Sequence, residues 1–293
     1  MANNFEYLRP TTMGEAVDMK SSHGARAQFW AGGTDMMLQW KAGITDFDYC
    51  IDLTYVPDLD QIALDGDQLR IGAMATLDDL DLQSGLHPLT EALGETARMM
   101  CTKQTRTLAT IGGNLCNASP SADLSPPLAA MGAQARILGP DGERTIPLTE
   151  FFTGVRKTAL ADGEMLTEIV VPDVGGDVAA SYNRVARTVV DIALVSSAAF
   201  IKLDSSGKIT KAGVALGAVA PTVVRVNKAE DLLIGCSLKE AANGVANKAG
   251  EHAIATANAI TDIRASKEYR TDMTSVLTQR AIGRCVAILE GNG

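Results

Sequence analysis

Cysteine and histidine are scarce in this sequence. Its 293 residues include five cysteines and three histidines. The cysteines are odd in number and widely separated, with no CxxC pair and no histidine at ligand spacing, so nothing indicates a disulfide framework, a metal site or an iron–sulfur site. We therefore expect reduced, mostly buried thiols and no catalytic side chain of either type. The cysteines are Cys50, Cys101, Cys116, Cys236 and Cys285.

Basic runs and long apolar runs are also lacking. Acidic residues outnumber basic ones 35 to 26, which leaves a net charge of −9 and no basic face for a nucleic acid. The longest apolar stretch, residues 192–201, is too short to span a bilayer and contains two serines. Residues 1–10 lack the basic and apolar segments of a signal peptide. These absences predict a cytoplasmic protein with no membrane span.

The sequence does contain a strand, a glycine turn, a helix and a second strand in succession. Residues 27–30 and 49–53 favour strands, and residues 36–42 favour a helix that ends before a glycine. This order is typical of a right-handed βαβ unit. Upstream, Thr12 followed three positions later by Glu15 has the form of a capping box that opens a short helix.

The rest of the chain divides at Gly175-Gly176. Before this pair, hairpin turns are predicted around Gly66 and over residues 139–142, and a polar stretch over residues 107–123 predicts a long loop. After it, we expect strands followed by helices. The predicted strands cover residues 181–186, 194–203 and 209–218, and the predicted helices cover residues 228–233, 238–257 and 267–289.

The first glycine loop consists of Ala31, Gly32, Gly33, Thr34 and Asp35, between a predicted strand and a predicted helix. Backbone N–H groups converge at such a place and suit an anion, and paired glycines let the main chain approach a phosphate closely. The alternative is a tight turn with no ligand. The loop matches neither the GxGxxG nor the Walker pattern.

The second glycine loop runs from residue 107 to residue 115 and continues to Asp123. It offers hydroxyls, amides and a glycine pair, which suit hydrogen bonds to a diphosphate and a polyol without a fixed positive charge. The alternative is a surface loop in which Asp123 caps the next helix. Two such loops in one chain favour a ligand that carries phosphate.

The two loops together resemble the FAD signatures of a known family. That family comprises the medium, FAD-binding subunits of the xanthine dehydrogenase and carbon monoxide dehydrogenase group of molybdenum hydroxylases. The similarity extends over essentially the whole chain, because further segments match in the family's order. They are residues 5–7, 9–11, 71–76 and 262–270.

The resemblance implies an α+β fold in two domains. An FAD-binding domain of two α/β subdomains, similar to the PCMH/VAO flavoproteins, would cover residues 1–175, with subdomains at about 1–56 and 57–175. A C-terminal domain with a three-stranded antiparallel sheet and helices would cover residues 176–293.

The resemblance also implies which residues bind FAD. Both loops would hold the diphosphate through main-chain N–H groups, and the hydroxyls of Thr76 and Ser119 would assist. Asp123 would bind the ribityl chain or polar atoms near the flavin, and the backbone of Leu166 would face the pyrimidine edge of the flavin. Arg184 would be a basic residue near the flavin, with the alternative that it is an ordinary surface residue of a strand. The implied cofactor-binding residues are Ala31, Gly32, Gly33, Thr34, Asp35, Thr76, Thr110, Gly113, Asn114, Ser119, Asp123, Leu166 and Arg184.

Asp35 and Asp191 are acidic residues close to the implied cofactor site. Some relatives have His-Ser where this chain has Thr34-Asp35, and a carboxylate so near a diphosphate is repulsive unless it points away. We therefore expect the backbone N–H of Asp35, and not its side chain, to face the phosphate. Asp191 follows Arg184 in an acidic position of the family, although it has the alternative of capping a helix or a turn.

By the same resemblance, the chain is an oxidoreductase subunit with no catalytic side chain of its own. The [2Fe–2S] clusters would lie on a small iron–sulfur subunit and the molybdopterin on a large subunit, in a dimer of heterotrimers. Electrons would pass through FAD to an external acceptor. The organic substrate and the acceptor, whether NAD, oxygen or a quinone, stay open. Alternatives are a stand-alone FAD oxidoreductase similar to the enolpyruvyl reductase of cell-wall synthesis, and a non-catalytic assembly subunit.

Overall fold

The structure is a computed structural model that describes residues 4–291. The first subdomain is a parallel three-stranded sheet in the order β1-β3-β2 with two helices. The predicted strand, turn, helix and strand are confirmed, and the strand at residues 6–8 was not predicted. The elements are β1 (Glu6–Leu8), α1 (Met13–His23), β2 (Ala27–Trp30), α2 (Met36–Lys41) and β3 (Tyr49–Asp52).

Helix α1 begins where the sequence predicted and continues to His23. The Thr12 hydroxyl accepts the N–H of Glu15 at 3.1 Å, which is the capping contact. The helix ends at Gly24, whose φ of +56° is a left-handed conformation that favours glycine.

The second subdomain is built on an antiparallel five-stranded sheet in the order β4-β5-β10-β6-β7. Both predicted hairpins are present, and the largest apolar core lies against this sheet. The strands are β4 (Ile62–Asp65), β5 (Gln68–Gly72), β6 (Gln134–Gly139), β7 (Gly142–Pro147), the small pair β8 (Phe152–Gly154) and β9 (Lys157–Thr158), and β10 (Met165–Pro172). The helices are α3 (Leu77–Leu82), α4 (Pro88–Arg98), α5 (Lys103–Arg106), α6 (Ile111–Cys116), α7 (Ser125–Ala130) and α8 (Leu148–Phe151).

The long polar stretch is where the structure of this subdomain differs most from the prediction. Residues 107–123 were predicted to be a loop, but α6 occupies the middle of it. Two glycines and an asparagine in six residues lower the helix propensity, so periodicity gave no signal. The side chain of Thr110 caps this helix and starts it despite its composition.

The C-terminal domain has an antiparallel sheet in the order β11-β12-β13-β14. Three long strands match the prediction, and a two-residue strand adds a fourth at the edge. The predicted helix over residues 238–257 is interrupted, because Asn243 and Gly244 leave helical geometry, with a φ of +104° at Gly244. The elements are β11 (Val178–Val185), β12 (Val195–Leu203), β13 (Ile209–Gly217), β14 (Val224–Arg225), α9 (Asn227–Leu233), α10 (Leu238–Glu240), α11 (Ala246–Thr256) and α12 (Lys267–Leu289).

Alternation along β11 decides which of its side chains face the FAD-binding region. Val178, Ala180 and Tyr182 belong to the core shared with the second subdomain, whereas Ala179 belongs to the core between the sheet and helices α11 and α12. Because side chains in a strand alternate between faces, Arg184 lies on the same face as Tyr182. The C-terminal domain thereby contributes two polar side chains to the site.

Candidate functional site

One cleft of about 780 Å³ lies where the two subdomains and strand β11 meet. Its volume is in the range of cofactor pockets. Residues from both glycine loops, the turn after α6, strand β10 and strand β11 line it. The predicted residues in its lining are Ala31, Gly32, Gly33, Thr34, Asp35, Thr110, Gly113, Asn114, Ser119, Asp123, Leu166 and Arg184.

The first glycine loop presents unused backbone donors. Within residues 4–291, the N–H groups of residues 32–35 have no acceptor. Gly33 has a φ of +67°, and a Cβ there would lie 2.2 Å from the Trp30 ring. Asp35 is exposed and makes no side-chain capping bond to α2. A backbone of this kind suits an anionic group such as a diphosphate.

The two glycine loops touch each other through their backbones. A Cβ placed on Gly32 would lie 1.6 Å from the carbonyl oxygen of Leu108. No side chain fits between the two segments, so Gly32 is required there by the close approach. The two loops are far apart along the chain, and the fold brings them into direct contact.

The second glycine loop uses its backbone donors internally. The N–H of Gly112 donates to the carbonyl of Ala73 at 2.8 Å, and the N–H of Gly113 donates to the Thr110 hydroxyl at 3.0 Å. The N–H of Asn114 donates to the carbonyl of Thr110 at 3.0 Å. The expectation of free main-chain donors is therefore not met at residues 112–114.

In the second glycine loop, the side chain of Asn114 has a polar atom without a hydrogen-bond partner among the described residues. Its side-chain oxygen is buried and has no hydrogen-bond partner among the described residues, and the residue lines the cleft. A buried polar atom without a partner is costly, so a donor from a bound molecule would complete the site. Ser119, whose hydroxyl accepts the N–H of Ser121 at 3.3 Å, lies in the same wall.

Thr76 is the predicted cofactor residue that the structure places outside the cleft lining. It belongs to a capping box at the start of α3, in which the Asp79 carboxylate accepts the backbone N–H of Thr76 at 2.9 Å and its hydroxyl at 2.6 Å. The hydroxyl oxygen also accepts the N–H of Asp79 at 3.0 Å. Thr76 is therefore committed to its own helix.

Asp123 and Arg184 form another wall of the cleft, and they make a buried ion pair. Nη1 of Arg184 lies 2.9 Å from Oδ2 of Asp123, and both side chains are less than one tenth exposed. The Tyr182 hydroxyl donates to the other carboxylate oxygen, Oδ1. Asp123 is thus not a helix cap, and Arg184 is not a surface residue. Tyr182 was missed because an aromatic residue in a strand normally indicates core.

Burial dominates the electrostatics of this wall. It raises the pKa of the Asp123 carboxyl, and the Arg184 charge and the Tyr182 hydrogen bond oppose that rise. Burial, together with the Asp123 charge, raises the pKa of the Tyr182 hydroxyl well above its ordinary value. Tyr182 consequently stays a hydrogen-bond donor.

Leu166 lies in β10 at an irregular point of the sheet. The register between β10 and β6 shifts between Leu166 and Glu168, so Thr167 is an extra residue in the strand. A β-bulge of this kind locally disrupts the hydrogen-bonded ladder beside the cleft. The predicted role of Leu166, a backbone contact with a ligand, depends on such a disruption.

The mouth of the cleft includes Asp191. Its carboxylate is 2.6 Å from Nε of Arg187, and the hydrogen bond from this residue lowers the pKa of Asp191. Asp191 also accepts the N–H of Ile192 at 2.9 Å, which is a local turn contact. Its side chain therefore works within the loop between β11 and β12.

Lys20 is a lining residue that the sequence gave no reason to select. Its ammonium group donates to the carbonyls of Gly24 and Ala27 at 2.9 Å, and it lies 3.3 Å from the Asp162 carboxylate. It links the first subdomain to the second across one end of the cleft. A lysine in the last turn of a short helix carries no sequence signal for this role.

Metal clusters and membrane-spanning helices are both absent from residues 4–291. No group of three or more His, Cys, Asp or Glu side chains is arranged to hold a metal ion. No helix is long and apolar enough to cross a membrane. Among the histidines, His87 caps α4 and burial lowers its pKa, whereas His23 stacks on Tyr49.

The residues present fit FAD. The first loop supplies unused N–H donors for a diphosphate, and Asn114 supplies a buried acceptor without a partner. The same cleft is also lined by Leu166 and Arg184.

Comparison with known proteins identifies the family of both domains. Residues 3–174 match the family model described as the FAD binding domain in molybdopterin dehydrogenase, and residues 180–285 match the CO dehydrogenase flavoprotein C-terminal domain. The carbon monoxide dehydrogenase medium chain of Afipia carboxidovorans is 31% identical, with 97% of both chains covered. The xanthine dehydrogenase FAD-binding subunit of Escherichia coli O157:H7 is 30% identical, again with 97% of both chains covered.

A solved structure shows the same fold. A chain of reconstituted CO dehydrogenase from Oligotropha carboxidovorans superposes with a TM-score of 0.91 at 29% identity, covering 98% of this chain and 99% of the other. The chain therefore belongs to the family of FAD-binding subunits of molybdopterin dehydrogenases, which includes these carbon monoxide and xanthine dehydrogenase subunits, and it is an oxidoreductase subunit with FAD as its own cofactor.

Proposed function

We propose that this chain relays electrons from [2Fe–2S] clusters of a small partner subunit, through FAD, to an external acceptor. The observation that carries this proposal is the cleft, because its free amides and the Asn114 oxygen without a partner suit FAD. Flavoprotein subunits that match 97% of the chain support the same cofactor. FAD, when bound, supplies redox chemistry that no side chain has. The chain's own residues bind, orient and shield it.

We assign binding roles from the geometry of the cleft. The amides of residues 32–35 hold the diphosphate, and the Asn114 oxygen accepts a hydrogen bond from the cofactor. Leu166 places its backbone beside the pyrimidine edge. The remaining walls supply the close packing and polar contacts of Ala31, Thr110, Gly113, Ser119, Asp123 and Arg184.

The domain division follows the same proposal. Residues 1–175 form the FAD-binding domain, with subdomains at about 1–56 and 57–175, and residues 176–293 form the C-terminal domain. The limits of the two family models, 3–174 and 180–285, support a boundary in this region. Residues 1–3 and 292–293 lie outside the described part of the chain.

The proposed partners are a small iron–sulfur subunit and a large molybdopterin subunit, assembled as a dimer of heterotrimers. The relatives support this because they are named as a medium chain and as an FAD-binding subunit, and hence as parts of larger enzymes. Substrate oxidation then takes place on the large subunit.

Two preparations test the proposal, the full chain alone and the complex purified with its partners. We expect about one FAD per chain in both, with molybdenum and iron only in the complex. Reduction of the flavin by the organic substrate should occur only in the complex. Iron retained by the isolated chain would contradict the partner assignment. Steady NADH or NADPH oxidation by the isolated chain, with reduction of an organic substrate, would favour a stand-alone reductase.

A further inference from the structure

The C-terminal domain reaches into the cofactor cleft through one guanidinium group. Nη1 of Arg184 binds the Asp123 carboxylate at 2.9 Å. Nη2 donates to the carbonyls of Met99 and Val189, the latter at 2.8 Å. Arg184 therefore fixes a charge pair in the cleft wall and connects β11 to the FAD-binding domain and to the loop at the cleft mouth.

The partners of Asp123 hold its carboxylate in place. One oxygen accepts from Arg184 and the other from the Tyr182 hydroxyl, and both donors come from the same face of β11. Pro120 of the same segment accepts the N–H of Ala218 at 2.8 Å, which is a further contact from the C-terminal domain. The wall that carries Asp123 is thus positioned by a domain other than its own.

The low exposure of the pair makes its charges effective over a distance. The Arg184 and Asp123 side chains are 7% and 9% exposed, so water screens them weakly. Their opposite fields largely cancel at a ligand in the cleft. Removal of one partner leaves the other charge uncompensated in a buried site.

We propose that Arg184, supplied by the C-terminal domain, balances the charge of the buried Asp123 carboxylate beside the bound flavin, so that neither charge alone shifts the flavin's reduction potential, with Arg184 and Asp123 as positioning residues of opposite electrostatic effect. The inference rests on the proposed function, because it requires FAD in this cleft. A reduced flavin carries more negative charge than an oxidised one. An unpaired Arg184 therefore favours reduction, and an unpaired Asp123 opposes it.

The two single variants should shift the potential in opposite directions. We expect Asp123→Asn to raise the midpoint potential, because arginine stays charged without its partner. We expect Arg184→Gln to lower it by a smaller amount, because a buried carboxylate without a cation partly takes up a proton. The double variant should return close to the unmodified protein.

The measurement is a reductive titration of the FAD-loaded full chain against a reference dye, with the flavin absorption spectrum as a second readout. Arg187→Gln is the matched control, because Arg187 lies on the adjoining loop and pairs with Asp191 where it is half exposed. Solvent screening predicts no shift for this variant. A merely structural role of the pair would not produce shifts of opposite sign.

The outcomes separate this inference from the proposed function. An unmodified chain that binds no FAD contradicts the proposed function. An unmodified chain that binds FAD, with single variants that shift in the same direction or not at all, overturns the role of the ion pair. If one variant loses FAD, the direction of the potential shift in the other variant decides: the expected direction supports the inference, and the opposite direction or no shift overturns it. Loss of FAD by both variants, with native circular dichroism, shows that the pair serves binding and also overturns the inference.

Discussion

The two glycine loops look alike in sequence and use their backbones in opposite ways. In the first, the N–H groups of residues 32–35 have no acceptor within the described chain, so they are available to a ligand. In the second, the N–H groups of residues 112–114 are taken up by Ala73 and Thr110. A pair of glycines therefore marks a close approach, but it does not say whether a ligand or the protein itself makes that approach.

The glycines of each loop also serve packing. Gly32 is needed because a Cβ there would meet the Leu108 carbonyl, and Gly112 because a Cβ there would lie 2.5 Å from the Ala73 carbonyl. The second loop accordingly contributes the Asn114 side chain, whereas the first contributes main-chain donors. Four substitutions distinguish these roles, and the dissociation constant of FAD from the full chain is the common measurement.

The largest effect is expected for Gly113→Asp. A carboxylate about 4 Å from a phosphate charge costs about 4 kcal/mol near a protein surface, which corresponds to roughly a thousandfold weaker binding. The purified variant should lack flavin absorption. Gly113→Ala is the control, because its Cβ would meet only the Thr110 hydroxyl, at 2.9 Å. Normal FAD content in the aspartate variant would remove the second loop from the binding site.

A smaller effect is expected for Gly32→Ala. The new methyl group overlaps a backbone carbonyl, so the loops must separate at a cost of about 3 kcal/mol in the free energy of unfolding. Misplacement of the first loop's donors should weaken FAD binding by at least roughly tenfold. Gly85→Ala controls for the substitution, since it has open space at its Cβ. Unchanged stability of Gly32→Ala would show that the loops do not touch in solution.

A still smaller effect on FAD is expected for Thr110→Val. It removes the acceptor of the Gly113 N–H and should lower the free energy of unfolding by about 1 kcal/mol. If this loop's donors serve only the helix, the dissociation constant should change by no more than about threefold. Thr110→Ser keeps the oxygen and should restore stability. A tenfold or greater loss of affinity would instead assign the hydroxyl to the cofactor.

The smallest effect is expected for Thr76→Ala. Loss of the capping box should lower the free energy of unfolding by about 1 kcal/mol, measured by denaturant titration. The FAD dissociation constant should stay unchanged, because Thr76 does not line the cleft. Thr76→Ser provides the control for the cap. Weaker FAD binding without lower stability would restore the cofactor role that the sequence suggested.

Local signals in the sequence predicted much of the fold. The glycine turn before α2, the hairpin at Gly66 and the cap at Thr12 each depend on residues within a few positions of each other. Those short-range effects are visible to propensity and spacing. Helix α6 and the break at Asn243-Gly244 were missed, because a cap and tertiary packing outweighed composition in the first and a left-handed glycine interrupted periodicity in the second.

By itself the sequence determined the family, the cofactor class and the two glycine loops that line the cleft, because loop motifs and their order are properties of the chain. Tertiary structure alone decided how other groups are used: which amides stay free, and that Tyr182 and Arg184 enclose Asp123. The physical reason is that hydrogen-bond partners and burial depend on segments far apart in sequence. No local pattern records them.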